Sequence, residues 1–242
     1  PPPPPPPPLP PPPPPPPHTT IRSSSAASDV YKRQGLPGTI DGGGSVNTLD
    51  YSEYVTSVTV DLLNGSAEGT NGVSNFGNAT GGMGDDSLTG DDSDNRLIGG
   101  FGDDSLTGGA GDDELTGGMG IDTVSYANAD SGVTVDLNSY VAQDTGGAGI
   151  DTLTEFENLE GSIHGDFLTG SIENNRIVGN AGDDILDGGA GDDELIGGEG
   201  SDTVSYANET AGVTVDLSTI IDINAPEKRE ATDGSGNKDN DS

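Results

Sequence analysis

The sequence predicts an all-β chain: a parallel β-roll, that is a β-helix or solenoid, wound from nonapeptide repeats with cation-binding turns and divided into two blocks. Three observations predict it. Ten nine-residue units run in phase, five over residues 81–125 and five over 161–205. In every unit the sixth residue is Asp or Asn and the eighth is apolar. Glycine supplies 40 of the 242 residues and gathers in the first four places of the units, where tight turns are made.

Composition narrows the classes first. The chain has 42 Asp and Glu against 8 Lys and Arg, a net charge of −34, and only 29% hydrophobic residues. Such a chain excludes a general nucleic-acid binder, which needs a basic face. The absence of Cys excludes disulfide scaffolds and thiolate zinc sites. No apolar run reaches the roughly 18 residues of a membrane helix. An acidic disordered chain and a chain neutralised by bound cations remain, and the periodicity favours the second.

The elements follow in order. Residues 1–34 are a low-complexity leader. Sixteen of the 18 prolines fall in 1–17, which suits polyproline II or a tether. Residues 18–34 hold Arg22, Lys32 and Arg33 and no apolar core of a signal peptide, and are read as non-native. Residues 35–80 form a diverged N-terminal cap, with a weakened unit at 42–50 (GGGSVNTLD) and LDYSEYVTSVTVDL at 49–62. Block one is 81–125. Residues 126–160 are a spacer carrying one isolated unit, GGAGIDTLT at 146–154, and GVTVDL at 132–137, which alternates like a hairpin strand. Block two is 161–205. Residues 206–222 repeat the spacer strands as a cap, because DTVSYAN recurs at 122–128 and 202–208 and GVTVDL again at 212–217. Residues 223–242 are a polar acidic tail, expected to be disordered. The 35-residue spacer breaks the phase of nine, so two rolls are expected rather than one.

Each unit reads as a turn of six residues followed by a three-residue strand with one inward side chain. Two units make a coil of 18, and coils stack about 4.8 Å apart. Asp86, Asp104 and Asp122 then share one edge of block one, and Asn95 and Asp113 the other. Block two repeats this with Asp166, Asp184 and Asp202, and with Asn175 and Asp193. Asp151 holds the same place in the isolated unit. The turns are formed by Gly82, Gly84, Gly100, Gly102, Gly109, Gly111, Gly118, Gly120, Gly182, Gly189, Gly191, Gly198 and Gly200.

Carboxylates stacked at this spacing repel unless a positive charge lies between them. Block one sets 11 acidic residues against Arg96, a net of −10, and block two sets 10 against Arg176, a net of −9. A hard divalent ion with oxygen ligands meets the need, and Ca²⁺ tolerates irregular turns rich in backbone carbonyls. About four or five ions per block would neutralise each. Asn95 and Asn175 bring no charge, so their sites are expected to be weaker, and Asp166 sits in a unit short of glycine. The fifth-position Asp85, Asp103, Asp112, Asp183 and Asp192 are expected to face solvent.

GGMGDDSLT, GGFGDDSLT and GGAGDDELT resemble the repeats-in-toxin (RTX), haemolysin-type calcium-binding family. The resemblance covers about residues 40–222. It implies a parallel β-roll with calcium-binding turns, calcium held by the sixth-position Asp and turn carbonyls, and export by a type I route. It also implies a chain unfolded inside the cell and folded outside it, secreted or at the cell surface.

No catalytic pattern accompanies the repeats. HExxH, GxSxG and a P-loop are absent, and the two histidines, His18 and His164, have no triad partners in sequence. The acidic pairs are equivalent ladder members, unlike the two dissimilar carboxylates of a glycosidase. The expectation is a non-enzymatic module of a larger extracellular protein whose partner is calcium. The alternative is the C-terminal repeat region of a secreted protease, lipase or polysaccharide-modifying enzyme, or of a surface adhesin. Tyr126 and Tyr206 are expected to pack rather than to stack on carbohydrate.

Overall fold

The computed structural model describes residues 38–207 in full, and the backbone alone of the strands Thr19–Arg22, Val30–Lys32 and Glu230–Thr232. The second GVTVDL copy and most of the leader and tail lie outside the described residues.

Among the described residues every regular element is a strand, and nearly all pairings are parallel. The typical strand has three residues, as in Ser105–Thr107, with only the middle one buried. Strand alternation explains this: the eighth residue of a unit points inward while the seventh and ninth point out. Leu88, Leu106 and Val124 stack in register, as do Leu97 and Leu115, and Leu168 and Leu186. All seven are buried to within 1% and form one core with the remaining inward rows. Pairing at an offset of 18 residues is the coil expected from sequence. Leu106→Ala should cost about 2–5 kcal/mol, since neighbouring rungs cannot collapse into the void. Denaturant unfolding of the calcium-saturated protein measures it.

One sheet runs through both blocks. It orders Thr59–Asp61, Ser87–Thr89, Ser105–Thr107, Thr123–Ser125, Asn158–Glu160, Arg176–Ala181 and Glu194–Glu199. It takes alternate units of block one and then the other set of block two. The opposite side of the roll is divided. Thr48–Asp50, Asn78–Thr80, Arg96–Phe101, Glu114–Met119 and Ile150–Thr154 make one sheet; Thr134–Asp136, Phe167–Thr169, Ile185–Asp187 and Thr203–Ser205 make the next. The two expected blocks are therefore distinct on one face and continuous on the other.

The spacer explains the division. Val133 bridges Gly146 in antiparallel fashion, and Thr134 N–H donates to Thr145 O at 3.2 Å. These contacts make a hairpin in mid-roll. Gln143–Asp144 pairs antiparallel with Ile150–Thr154 and so closes one sheet, while Thr134–Asp136 opens the next. An edge strand is thereby covered without interrupting the opposite face.

A second device has no counterpart among the nonapeptides. Asn75–Phe76–Gly77 and Glu155–Phe156–Glu157 each turn the chain in three residues instead of six. Asn75 and Glu155 adopt φ of 59° and 61°, and Phe76 and Phe156 are buried. The two turns lie 80 residues apart, the spacing of the DTVSYAN copies.

Candidate metal centre

The sixth and eighth residues of a unit lie on the same side of the chain, so the sixth-position side chain is carried inside beside the apolar row. Asp86, Asn95, Asp104, Asp113, Asp122, Asp151, Asp166, Asn175 and Asp184 are at most 3% exposed. Asp193 and Asp202, near the end of the second array, are half-buried.

Oδ1 of each Asp rung accepts the backbone N–H of the rung before it. Asp86 donates to Asp104 at 2.7 Å, Asp104 to Asp122 at 2.8 Å, and Asp166 to Asp184 at 2.8 Å. On the other edge Asn95 donates to Asp113 at 2.8 Å and Asp113 to Asp151 at 3.0 Å. Asn175 and Asp184 donate in the same way to Asp193 and Asp202. Backbone donors thus satisfy half of every carboxylate, a contribution the sequence reading assigned wholly to ions.

The second oxygen divides the rungs. Asp86 Oδ2 accepts Gly82 N–H, and Asp166 Oδ2 accepts Ser162 N–H. Asn95 and Asn175 accept the second-position N–H of Asp91 and Ser171, and each turns its amide NH₂ onto a carbonyl, Gly77 O and Glu157 O. Asp151 Oδ2 accepts the Tyr126 hydroxyl at 3.0 Å and the Thr145 hydroxyl at 3.2 Å. Oδ2 of Asp104, Asp113, Asp122 and Asp184 is buried with no hydrogen-bond partner at all. An unpaired buried carboxylate oxygen costs several kcal/mol unless something positive meets it.

Backbone conformation accounts for the split. In the four orphaned units the second residue, Gly100, Gly109, Gly118 or Asn180, has positive φ, which turns its N–H away from the carboxylate. Gly82, Asp91, Ser162 and Ser171 do not, and their N–H groups reach it. The one arginine of each block does not compensate: Arg96 and Arg176 pair with exposed Glu114 and Glu194 at 3.1 and 2.9 Å. Burial, reinforced by neighbouring carboxylates and opposed by the backbone N–H bonds, pushes Asp104 and Asp113 up to about 7 and Asp122 and Asp184 up to about 6. Asp86, Asp151 and Asp193 are raised by burial as well.

The first-position glycines, expected from sequence only as part of the turns, complete the centre, and all ten units begin with Gly. A Cβ on Gly99 would lie 2.2 Å from Asp104 Oδ2 and 2.6 Å from Gly117 O. On Gly179 it would lie 2.1 Å from Asp184 Oδ2 and 2.6 Å from Gly197 O. The missing side chain leaves a cradle in which a carboxylate oxygen and a carbonyl oxygen converge. Among the described residues no three His, Asp or Glu side chains gather round one point, so backbone carbonyls must complete any ligand set. Buried, anionic and oxygen-only, the cradle fits a hard divalent cation of the calcium type. Of the predicted turn glycines, all but Gly82 and Gly84 have positive φ; those two are required by close approach to Tyr54 O and Ser57 N.

The fifth-position carboxylates are exposed, as expected, but they also tie coils together. Asp85 accepts Asp103 N–H, Asp103 accepts Ile121 N–H, Asp112 accepts Ile150 N–H and Asp183 accepts Ser201 N–H, at 2.9–3.0 Å. This ladder runs opposite to the buried one. Ile121, Ile150 and Ser201, which carry no carboxylate, stand where it ends.

The Tyr126 ring is buried and its hydroxyl is committed to Asp151. Tyr126→Phe should cost about 1–3 kcal/mol even with calcium saturating, because a buried acceptor loses its closer donor. Chemical unfolding checks the figure.

Residues 89–124 and 165–204 match the family model of the RTX calcium-binding nonapeptide repeat, in four copies. All four orphaned carboxylates fall within these stretches, whereas Asp151 and Glu155–Glu157 fall outside them. No curated protein matches the chain.

Proposed function

The chain carries RTX calcium-binding nonapeptide repeats, and on that premise we propose that it is a calcium-folded, non-catalytic module of a larger secreted or surface protein. Asp104, Asp113, Asp122 and Asp184 hold the ions with turn carbonyls such as Gly117 O and Gly197 O; Asp193 and Asp202 extend the row. Asp86, Asn95, Asp151, Asp166 and Asn175 close their turns through protein donors, so fewer ions are needed than one per rung. Bound calcium supplies the positive charge that the buried oxygens lack.

The observation that carries this reading is the set of four buried, partnerless Oδ2 atoms. With a net charge of −34 the metal-free chain repels itself and stays extended. Calcium near 10⁻³ M, the range of extracellular modules, converts it to a roll. Its setting is therefore outside the cell after type I export, with the roll acting as a stiff spacer. Far-ultraviolet circular dichroism across a calcium titration tests this. A cooperative gain of sheet near millimolar calcium is expected, with magnesium a poor substitute. An unchanged spectrum from chelator to about 10 mM calcium, well above that affinity range, would overturn it.

A further inference from the structure

We propose that the calcium site of Asp122, at the seam between the two arrays, is completed by the Glu155 carbonyl and the Glu157 carboxylate, which lie outside the nonapeptide pattern. The proposal rests on the calcium-binding reading above and extends the Asp122 site to Glu155 and Glu157, which the family model does not match.

The chain contains this seam twice, once without a charge. In the earlier copy the unit 42–50 is followed by the short turn at Asn75–Gly77. Asn47 is wholly buried there, and its amide NH₂ donates to Gly42 O at 3.0 Å, Ser45 O at 2.8 Å and Asn75 O at 3.2 Å. In the later copy the unit 117–125 is followed by the short turn at Glu155–Glu157. Backbone connections match: Gly77 and Asn78 N–H bond to Asn47 O, and Glu157 and Asn158 N–H bond to Asp122 O. The cradles match too. A Cβ on Gly42 would lie 2.8 Å from Asn47 Nδ2 and 2.3 Å from Asn75 O; one on Gly117 would lie 2.8 Å from Asp122 Oδ2 and 2.1 Å from Glu155 O.

A donor in the first seam is thus replaced by an acceptor in the second, among carbonyls placed to receive a donor. Asp122 Oδ2 is buried and partnerless as a result. At the same step Gly77 becomes Glu157, whose Oε2 accepts Asp122 N–H at 2.8 Å and so stands as the next rung. The longer side chain reaches from a turn three residues shorter. The Asp122 carboxylate and the Glu155 carbonyl converge over Gly117 where the first seam has an amide, the Glu157 carboxylate sits on the Asp122 N–H, and among the described residues no Lys or Arg forms an ion pair with either carboxylate. A divalent ion restores the missing positive partner and ties the last coil of one array to the first strand of the next.

Calcium-binding calorimetry on the full chain decides the matter. Glu157→Gln keeps an oxygen for the Asp122 N–H but removes the charge. It should lose one bound ion or weaken one site about tenfold or more. Glu157→Gly restores the residue of the first seam, leaves Asp122 in place, and should lose or weaken the same ion while reaching the same calcium-saturated dichroism. Should Glu157→Gln fail to fold, the glycine variant carries the test. Wild-type ion count and affinity in either folded variant would overturn the proposal, leaving Glu157 as an acceptor for Asp122 only. No uptake by the wild-type chain would instead defeat the calcium-binding reading itself.

Discussion

Stripped of metal, the roll is expected to lose its sheet as pH rises from about 5 to 8 and to regain it on acidification. Asp104 and Asp113 titrate near 7 and Asp122 and Asp184 near 6 in the folded chain, against 3.8 ordinarily. The folded state therefore holds protons that the unfolded state releases. The stability they contribute is complete below about pH 4 and disappears as pH rises through 6 and 7. Each group contributes up to about 1.4 kcal/mol per pH unit within its window. Four groups together are comparable to the roughly 5–15 kcal/mol that holds a domain folded. Calcium should flatten the profile, because the ion replaces the proton. The overall negative charge acts in the same direction but is screened in about 1 M salt, whereas burial of the four carboxyls is not. Circular dichroism against pH, with and without calcium and at high salt, measures the effect. A flat metal-free profile would contradict it.

Gly99→Ala is expected to be the most damaging small substitution in the first array. The added methyl meets Asp104 Oδ2 at 2.2 Å and Gly117 O at 2.6 Å, and both belong to the stack rather than to a free side-chain end. Overpacking of this kind costs about 1–3 kcal/mol, and the ion at Asp104 should be lost as well. Gly44→Ala is the control, since nothing lies within 4 Å of its Cβ, and it should stay within about 0.5 kcal/mol of wild type. Denaturant midpoints and calcium half-saturation of the two variants give the comparison. Equal behaviour would show that the cradle does not hold a ligand.

The units themselves were legible because one period governs both burial and charge. Residues six and eight share a side, so Asp104 and Leu106 could be placed inside together, and a coil of 18 gave their stacking partners. The constant first-position glycine was equally visible, and its role follows from the carboxylate lying over it. The remainder depended on backbone directions that letters do not carry. Whether Gly100 turns its N–H toward Asp104 is a matter of φ, and it decides whether that rung needs a cation. The hairpin at 133–146 was recognised as strands but not as the place where one face changes sheet. Tyr126 was read as packing, whereas its hydroxyl on Asp151 depends on two segments 25 residues apart. The short turns at Phe76 and Phe156 break the nonapeptide rhythm, and for that reason their shared 80-residue spacing went unread.

The account stands on four buried carboxylate oxygens that need a proton or a bound cation, and that need the cation once pH exceeds about 7. The direct test replaces Asp104, Asp113, Asp122 and Asp184 together by Asn, following the pattern of Asn47, Asn95 and Asn175, whose NH₂ groups donate to carbonyls. Calcium uptake and metal-free dichroism at neutral pH are then compared with wild type. The account predicts far less calcium bound by the variant, and more sheet retained without metal than in the wild-type chain. A variant that binds as many ions as wild type, or a wild-type chain fully ordered at neutral pH with all metal removed, would contradict it.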